Sequence, residues 1–158
     1  MTGRNPARER LAKGELALGI GLRQARTVDI AAVMASCGFD WLFIDLEHGT
    51  MPLDIAVQIS GAALSAGITP LVRVPSGQYS MATRALDGGA LGIVMPHVDT
   101  AEEAKAVVEH LKYPPTGHRS VAGPQACSWP PNSRSSRRSS PASWRRPTAR
   151  CRSAGRTA

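Results

Sequence analysis

Two carboxylates and an imidazole arrive within four positions at Asp45, Glu47 and His48. They follow the apolar run Trp41, Leu42, Phe43 and Ile44, and Gly49 closes the stretch. An imidazole among carboxylates is suited to moving protons. Burying such groups costs free energy unless each finds a partner, so their clustering beside an apolar run suggests a site. Two more polar residues stand in apolar surroundings: Arg73 within TPLVRVP and His97 within LGIVMPHV. Arg73 taken alone reads equally well as a structural residue, a solvated edge or a paired core group, and as a functional one. For His97 the plain structural reading is preferred. Asp87, in RALDGG, serves equally as a helix-terminal residue making a local turn contact.

The elements that must position these groups alternate between strand and helix. A basic amphipathic opening (Arg8, Arg10, Lys13) precedes a strand expected over 16–22. Thr27 is a plausible N-cap for a helix through Ser36. The run at 41–46 is short, apolar and bounded by glycine, which suits a buried parallel strand better than a helix. Pro52 or Leu53 opens a helix to Ala66, and Gly67 stands where a C-terminal cap is expected. Further strands are expected over 70–74 and 91–98, with a helix over about 78–86 between them. Thr100 then caps a helix through Leu111, with Glu102 and Glu103 in its first turn. Four β/α units of this kind predict a parallel α/β sheet. No Gly-rich phosphate loop follows any strand, so a nucleotide-binding fold gains no support. A (β/α) TIM barrel is the better fit, of which four units make half. Such sheets keep their chemistry at the carboxyl ends of the strands, where Asp45 and His48 stand.

Composition divides the chain in two. The formal charge of +7 invites a nucleic-acid reading, yet residues 1–125 hold 11 Lys and Arg against all 12 Asp and Glu. Residues 126–158 hold eight Arg, with no Lys, Asp or Glu. The opening residues, polar and charged, do not read as a signal peptide, and no apolar run approaches the ~18–20 residues that span a bilayer. Three cysteines form neither a metal-ligand pair nor a disulfide framework, so a reducing, cytoplasmic setting is expected.

Four stretches in order, GFDWLFIDLEHG, TPLVRVP, ALDGGALGIVMPHVDTAEEA and KYPPTGHRSVAGP, carry a resemblance to the HpcH/HpaI aldolase family. It runs from about Arg10 to Gln125. These are class II, metal-dependent pyruvate aldolases, and the resemblance implies cleavage of a 4-hydroxy-2-oxo acid to pyruvate and an aldehyde. It also implies a divalent ion (Mg²⁺, Mn²⁺ or Co²⁺) that chelates the oxo acid and stabilises the enolate. By match to the motif, His48 organises proton transfer from the 4-hydroxyl. Asp45 or Asp87 is the acidic partner that orients it. Arg73 lies against the keto-acid oxygens, as substrate-binding and catalytic cation. Chemically the set is coherent, since enolate chemistry needs a base and a cation near the oxygen. Intact relatives of this type imply a homo-oligomer.

The family pattern breaks at residue 126. It calls there for strands bearing a metal-binding Glu and then a metal-binding Asp. Eight Ser, eight Arg and four Pro instead make up 20 of residues 126–158, with no Val, Ile, Leu, Met or Phe. Such a segment cannot bury a core and is expected to be disordered on its own. Its composition is that of GC-rich coding DNA read out of frame. The preferred expectation is therefore residues 1–125 as the N-terminal half of an aldolase barrel, followed by a frameshift-derived tail. On that expectation the chain has no metal ligands, is truncated and is inactive. The rival expectation is a basic tail that binds nucleic acid or anionic surfaces.

Overall fold

The computed structural model describes residues 5–121. The expected low-complexity tail lies outside them. The first helix, α1 (Pro6–Ala12), takes its N-cap from Asn5, whose side chain accepts from the Arg8 backbone N–H, and has Pro6 in its first turn. It is followed by β1 (Gly19–Leu22), α2 (Ile30–Ser36), β2 (Trp41–Asp45) and α3 (Leu53–Ala66). Then come β3 (Thr69–Arg73), α4 (Tyr79–Asp87), β4 (Gly92–Val94) and α5 (Ala101–Leu111). The four strands form one sheet in sequence order, and every neighbouring pair is parallel. That is the β/α repeat of a TIM barrel, present as four successive strands among the described residues.

Local chemistry explains several boundaries. Gly67 ends α3 in the left-handed conformation at φ +73°, which glycine adopts without a Cβ penalty. Thr100 and Glu103 form a reciprocal capping box at the start of α5, and the backbone N–H groups of Asp99 and Thr100 hold the Glu103 carboxyl below its ordinary pKa. Other boundaries differ from expectation. β1 starts at Gly19 rather than residue 16, leaving Leu16 and Leu18 exposed. α2 starts at Ile30, so Thr27 is not its cap. β4 stops at Val94, well short of 98, because Pro96 has no N–H to donate and His97 turns to φ +53°.

The two faces of the sheet are unequal. Leu42, Ile44 and Val72 point to one side and are fully buried with Ala31, Ala56, Ile59, Ala63, Ala82 and Ala85 of the covering helices. Strand residues alternate in direction, so Trp41, Phe43 and Leu71 point to the other side, where they are only half-buried. Among the described residues no helix is long and apolar enough to cross a membrane.

Candidate active site

Strand register builds the site. β2 and β3 pair with Asp45 directly opposite Arg73, and β1 pairs with Leu22 opposite Ile44. Arg23, one residue beyond β1, therefore stands level with Asp45 and Arg73 at the carboxyl ends of the strands. The Asp45 side chain is almost completely buried, and its two oxygens are fully engaged. Arg73 donates from Nε to Oδ1 at 2.9 Å and from Nη2 to Oδ2 at 2.6 Å, a two-pronged contact that fixes the guanidinium plane. The backbone N–H groups of Glu47 and His48 donate to Oδ1 at 3.0 and 3.2 Å. Arg23 Nε adds a longer contact of 3.4 Å to Oδ2.

These contacts have an electrostatic consequence. The Arg73 hydrogen bonds, aided by the two backbone donors, hold the Asp45 carboxyl well below the usual carboxylate range despite its burial. The same hydrogen bonds raise the Arg73 pKa further, so the pair is a fixed zwitterion. By gripping the turn through backbone N–H groups, Asp45 also sets the path of the chain that presents His48. Gly49 closes this turn, because a Cβ there would lie 2.6 Å from the carbonyl oxygens of Arg23 and Asp45.

Glu47 is a second hub. Its side chain is 11 % exposed, and Arg73 Nη1 lies 3.3 Å from Oε2. Arg73 thus bridges two carboxylates, with its Cζ 5.4 Å from the centroid of the Phe43 ring. His48 Nε2 is 3.7 Å from Glu47 Oε2, and His97 Nε2 is 3.5 Å from Oε1. Oε2 is buried yet accepts no hydrogen bond. Both imidazoles remain open to solvent above the cluster. The arrangement joins a locked guanidinium to exposed imidazoles: it can fix an anionic oxygen and exchange a proton beside it.

Asp45, His48 and Arg73 are thus brought together. Asp87 is not among them within this chain. It ends α4, which runs back against the strands, and so lies toward their amino-terminal ends. There its Oδ1 accepts from Arg119 Nη2 at 2.5 Å, while the Arg119 Cζ sits 4.8 Å from the Tyr113 ring centroid. Arg23, which touches Asp45, carries no local sequence signal, and only counting residues to the end of β1 in register with β2 finds it. His97, for which the plain structural reading is expected, has its Nε2 3.5 Å from Glu47 Oε1, a contact compatible with that reading.

The divalent ion implied by the family resemblance finds no adequate donor set here. Among the described residues no group of three His, Cys, Asp or Glu side chains is disposed to hold a metal. Asp45 has spent its oxygens on Arg73 and the turn, which leaves Glu47 as the one carboxylate of the cluster with an unsatisfied oxygen. These residues alone do not make a metal site.

Comparison with known proteins follows the same lines. A family model described as HpcH/HpaI aldolase/citrate lyase matches residues 23–140, a span that takes in the first residues of the Arg/Ser/Pro-rich segment. The chain is 44 % identical to a 4-hydroxy-4-methyl-2-oxoglutarate aldolase of Chaetomium globosum over 126 residues, 79 % of this chain and 47 % of the relative. It is 40 % identical to the 2-keto-3-deoxy-L-rhamnonate aldolase of Escherichia coli K12 over 118 residues, 74 % of this chain and 43 % of the relative. Among solved structures, an HpcH/HpaI aldolase from Desulfitobacterium hafniense superposes with a TM-score of 0.72 at 32 % identity, over 79 % of this chain and 49 % of that one. Macrophomate synthase superposes with a TM-score of 0.65 at 30 % identity, over 74 % and 40 %. The chain spans about half the length of the curated relatives it matches.

Proposed function

The chain belongs to the HpcH/HpaI aldolase/citrate lyase family, and from that premise we propose that its site serves reversible aldol cleavage of a 4-hydroxy-2-oxo acid to pyruvate and an aldehyde. The observation that carries this reading is the Arg73 guanidinium, locked by two hydrogen bonds to Asp45 beside the exposed His48 imidazole. In the cleavage direction the 4-hydroxyl proton leaves toward His48. The C3–C4 bond breaks, its electron pair moves into the pyruvate enolate, and the aldehyde departs. Arg73 offers a cation that is already oriented where oxyanion charge develops, so little reorganisation accompanies the step. Asp45 keeps that cation in place and shapes the turn bearing His48. Of the two acidic partners expected for His48, Asp45 is the one next to it within this chain. Asp87 has its carboxylate on Arg119.

Enolate stabilisation by a divalent ion needs carboxylates beyond those in residues 5–121, and the resemblance assigns them to a Glu and an Asp on later strands. We therefore propose that the 158-residue chain alone releases pyruvate at background level. Restoring the reading frame after Gln125 should switch activity on. A coupled assay of pyruvate release with Mg²⁺, Mn²⁺ or Co²⁺ compares the two chains. In the frame-restored protein, His48→Ala should cut turnover by about 10²–10⁴-fold, the usual range for a lost general acid–base group. Arg73→Ala should damage both substrate affinity and turnover. An inactive frame-restored protein would remove the aldolase reading, and a fully competent 158-residue chain would place the ion within it. A cytoplasmic setting and assembly with copies of itself belong to the same proposal, resting on the resemblance.

A further inference from the structure

The sheet ends on two open edges. β1 pairs with β2 and β4 with β3, so among the described residues the outer edge of each carries no strand. Because every pair is parallel, the two edges are complementary. β1 of one copy laid beside β4 of another continues the same parallel ladder. A (β/α) barrel closes at eight strands, and four are present among the described residues.

Exposed apolar residues gather at the same two edges. Leu16 and Leu18 lead into β1, while Val28 precedes α2 and Val33 lies on it. On the other side Val98 follows β4, and Val108 lies on α5, a helix with no buried residue. Between the start of β2 and the end of β4, Leu64 is the one exposed large hydrophobic among the described residues. α2 packs on α3 and α5 on α4, so in a closed ring α2 and α5 are the helices that meet across a seam.

The inner face of the sheet has a matching shape. Across the register Gly21–Phe43–Leu71–Gly92, two large side chains stand between two glycines. Two copies bring four large side chains to the interior, the number in one layer of a closed barrel. Residues 126–158 hold no Val, Ile, Leu, Met or Phe to match these surfaces.

We propose that the partner of these edges is a second copy of this chain. β1 of each copy pairs with β4 of the other, and two half-barrels close into one eight-stranded barrel about a two-fold axis. Closure removes both open edges and covers Trp41, Phe43 and Leu71 together with the apolar residues on α2 and α5. The two Asp45–Arg73 centres then open on the same mouth, since all strands run in one direction. The inference concerns assembly and stands apart from the reaction proposed for that mouth.

Sedimentation velocity of the full 158-residue chain tests it. At about 10–100 μM the chain should run at twice its own mass, since interfaces of ordinary size reach micromolar affinity or better. Val33 and Val108 are 45 % and 42 % exposed, so a charge at either leaves the fold of one copy intact. Val33→Glu on the β1 side and Val108→Glu on the β4 side should each weaken the dimer at least about tenfold, because the charge is enclosed at both seams. Gly21→Lys is the third variant: a Cβ there meets nothing within 4 Å in one copy, yet the side chain would enter the closed interior. It should give a monomer with an unchanged circular dichroism spectrum. A monomeric wild type overturns the proposal. So does a dimer that responds to only one of the two valine substitutions, because unlike edges must meet at each seam. Masses beyond the dimer would mean open growth from edge to edge and overturn closure. A monomer in which Gly21→Lys lowers the unfolding midpoint has that face covered by its own chain, which also overturns it.

Discussion

Two of the arginine–aspartate pairs among the described residues stand at opposite ends of one sheet. Asp45–Arg73 lies at the carboxyl ends of β2 and β3, and Asp87–Arg119 lies toward the amino-terminal side. The first is a two-pronged contact embedded in further donors: two backbone N–H groups, Arg23, and Glu47 with its imidazoles. The second is a single hydrogen bond with the guanidinium stacked on Tyr113 and its Nε buried without a partner. Chemically alike, the pairs differ in what surrounds them. Around Asp45, hydrogen bonding capacity is left over and faces outward, which is what a ligand needs. At Asp87, the arginine is enclosed, and the contact clasps the chain after α5 to the end of α4.

The comparison breaks most visibly if Asp45 is removed. Asp45→Ala leaves Arg73 beside a buried gap and should cost about 3–5 kcal/mol, as expected when one partner of a buried pair is deleted. Urea unfolding of the two chains reads the difference. Asp87→Ala should cost less, about 1–3 kcal/mol, because one hydrogen bond to an enclosed donor is lost. Equal losses at the two sites would mean that the extra donors around Asp45 contribute nothing to the fold.

Acid sharpens the contrast further. Asp45 has its carboxyl depressed by Arg73, so its stabilising contribution is fully present above the unfolded carboxylate pKa of about 4. It is lost as pH falls through the lower folded value. Stability measured across that acid range should therefore fall in the wild type and fall less in Asp45→Asn. The smallest effect concerns His97. Replacing it with glycine removes the penalty of φ +53° but adds chain entropy to the unfolded state, so a gain of at most about 1 kcal/mol is expected. A loss of stability instead would show that the His97–Glu47 contact outweighs the backbone strain.

Wherever a neighbour in sequence decides the outcome, the sequence sufficed. The apolar run before Asp45, the glycine after α3 and the Thr100–Glu103 box each act within a few residues, and they located β2, α3 and α5 closely. The β/α rhythm likewise fixed parallel strands in order, since a helix between strands returns the chain to the same end of the sheet. Asp45 and His48 were legible as polar groups clustered at the end of a parallel strand, whereas Arg73 read as a site residue only through the family resemblance. Register and backbone path were not legible, because they depend on contacts between distant residues. Asp40 lies 22 residues from Leu18, whose N–H donates to its Oδ2 at 2.8 Å, and Arg119 lies 32 residues from Asp87. Only the tertiary structure could place Arg23 level with Asp45, end β4 early at Val94, turn His97 toward Glu47 and give Asp87 to Arg119. Local propensity carries no information about which side chains a sheet brings abreast; hydrogen bonds between strands do.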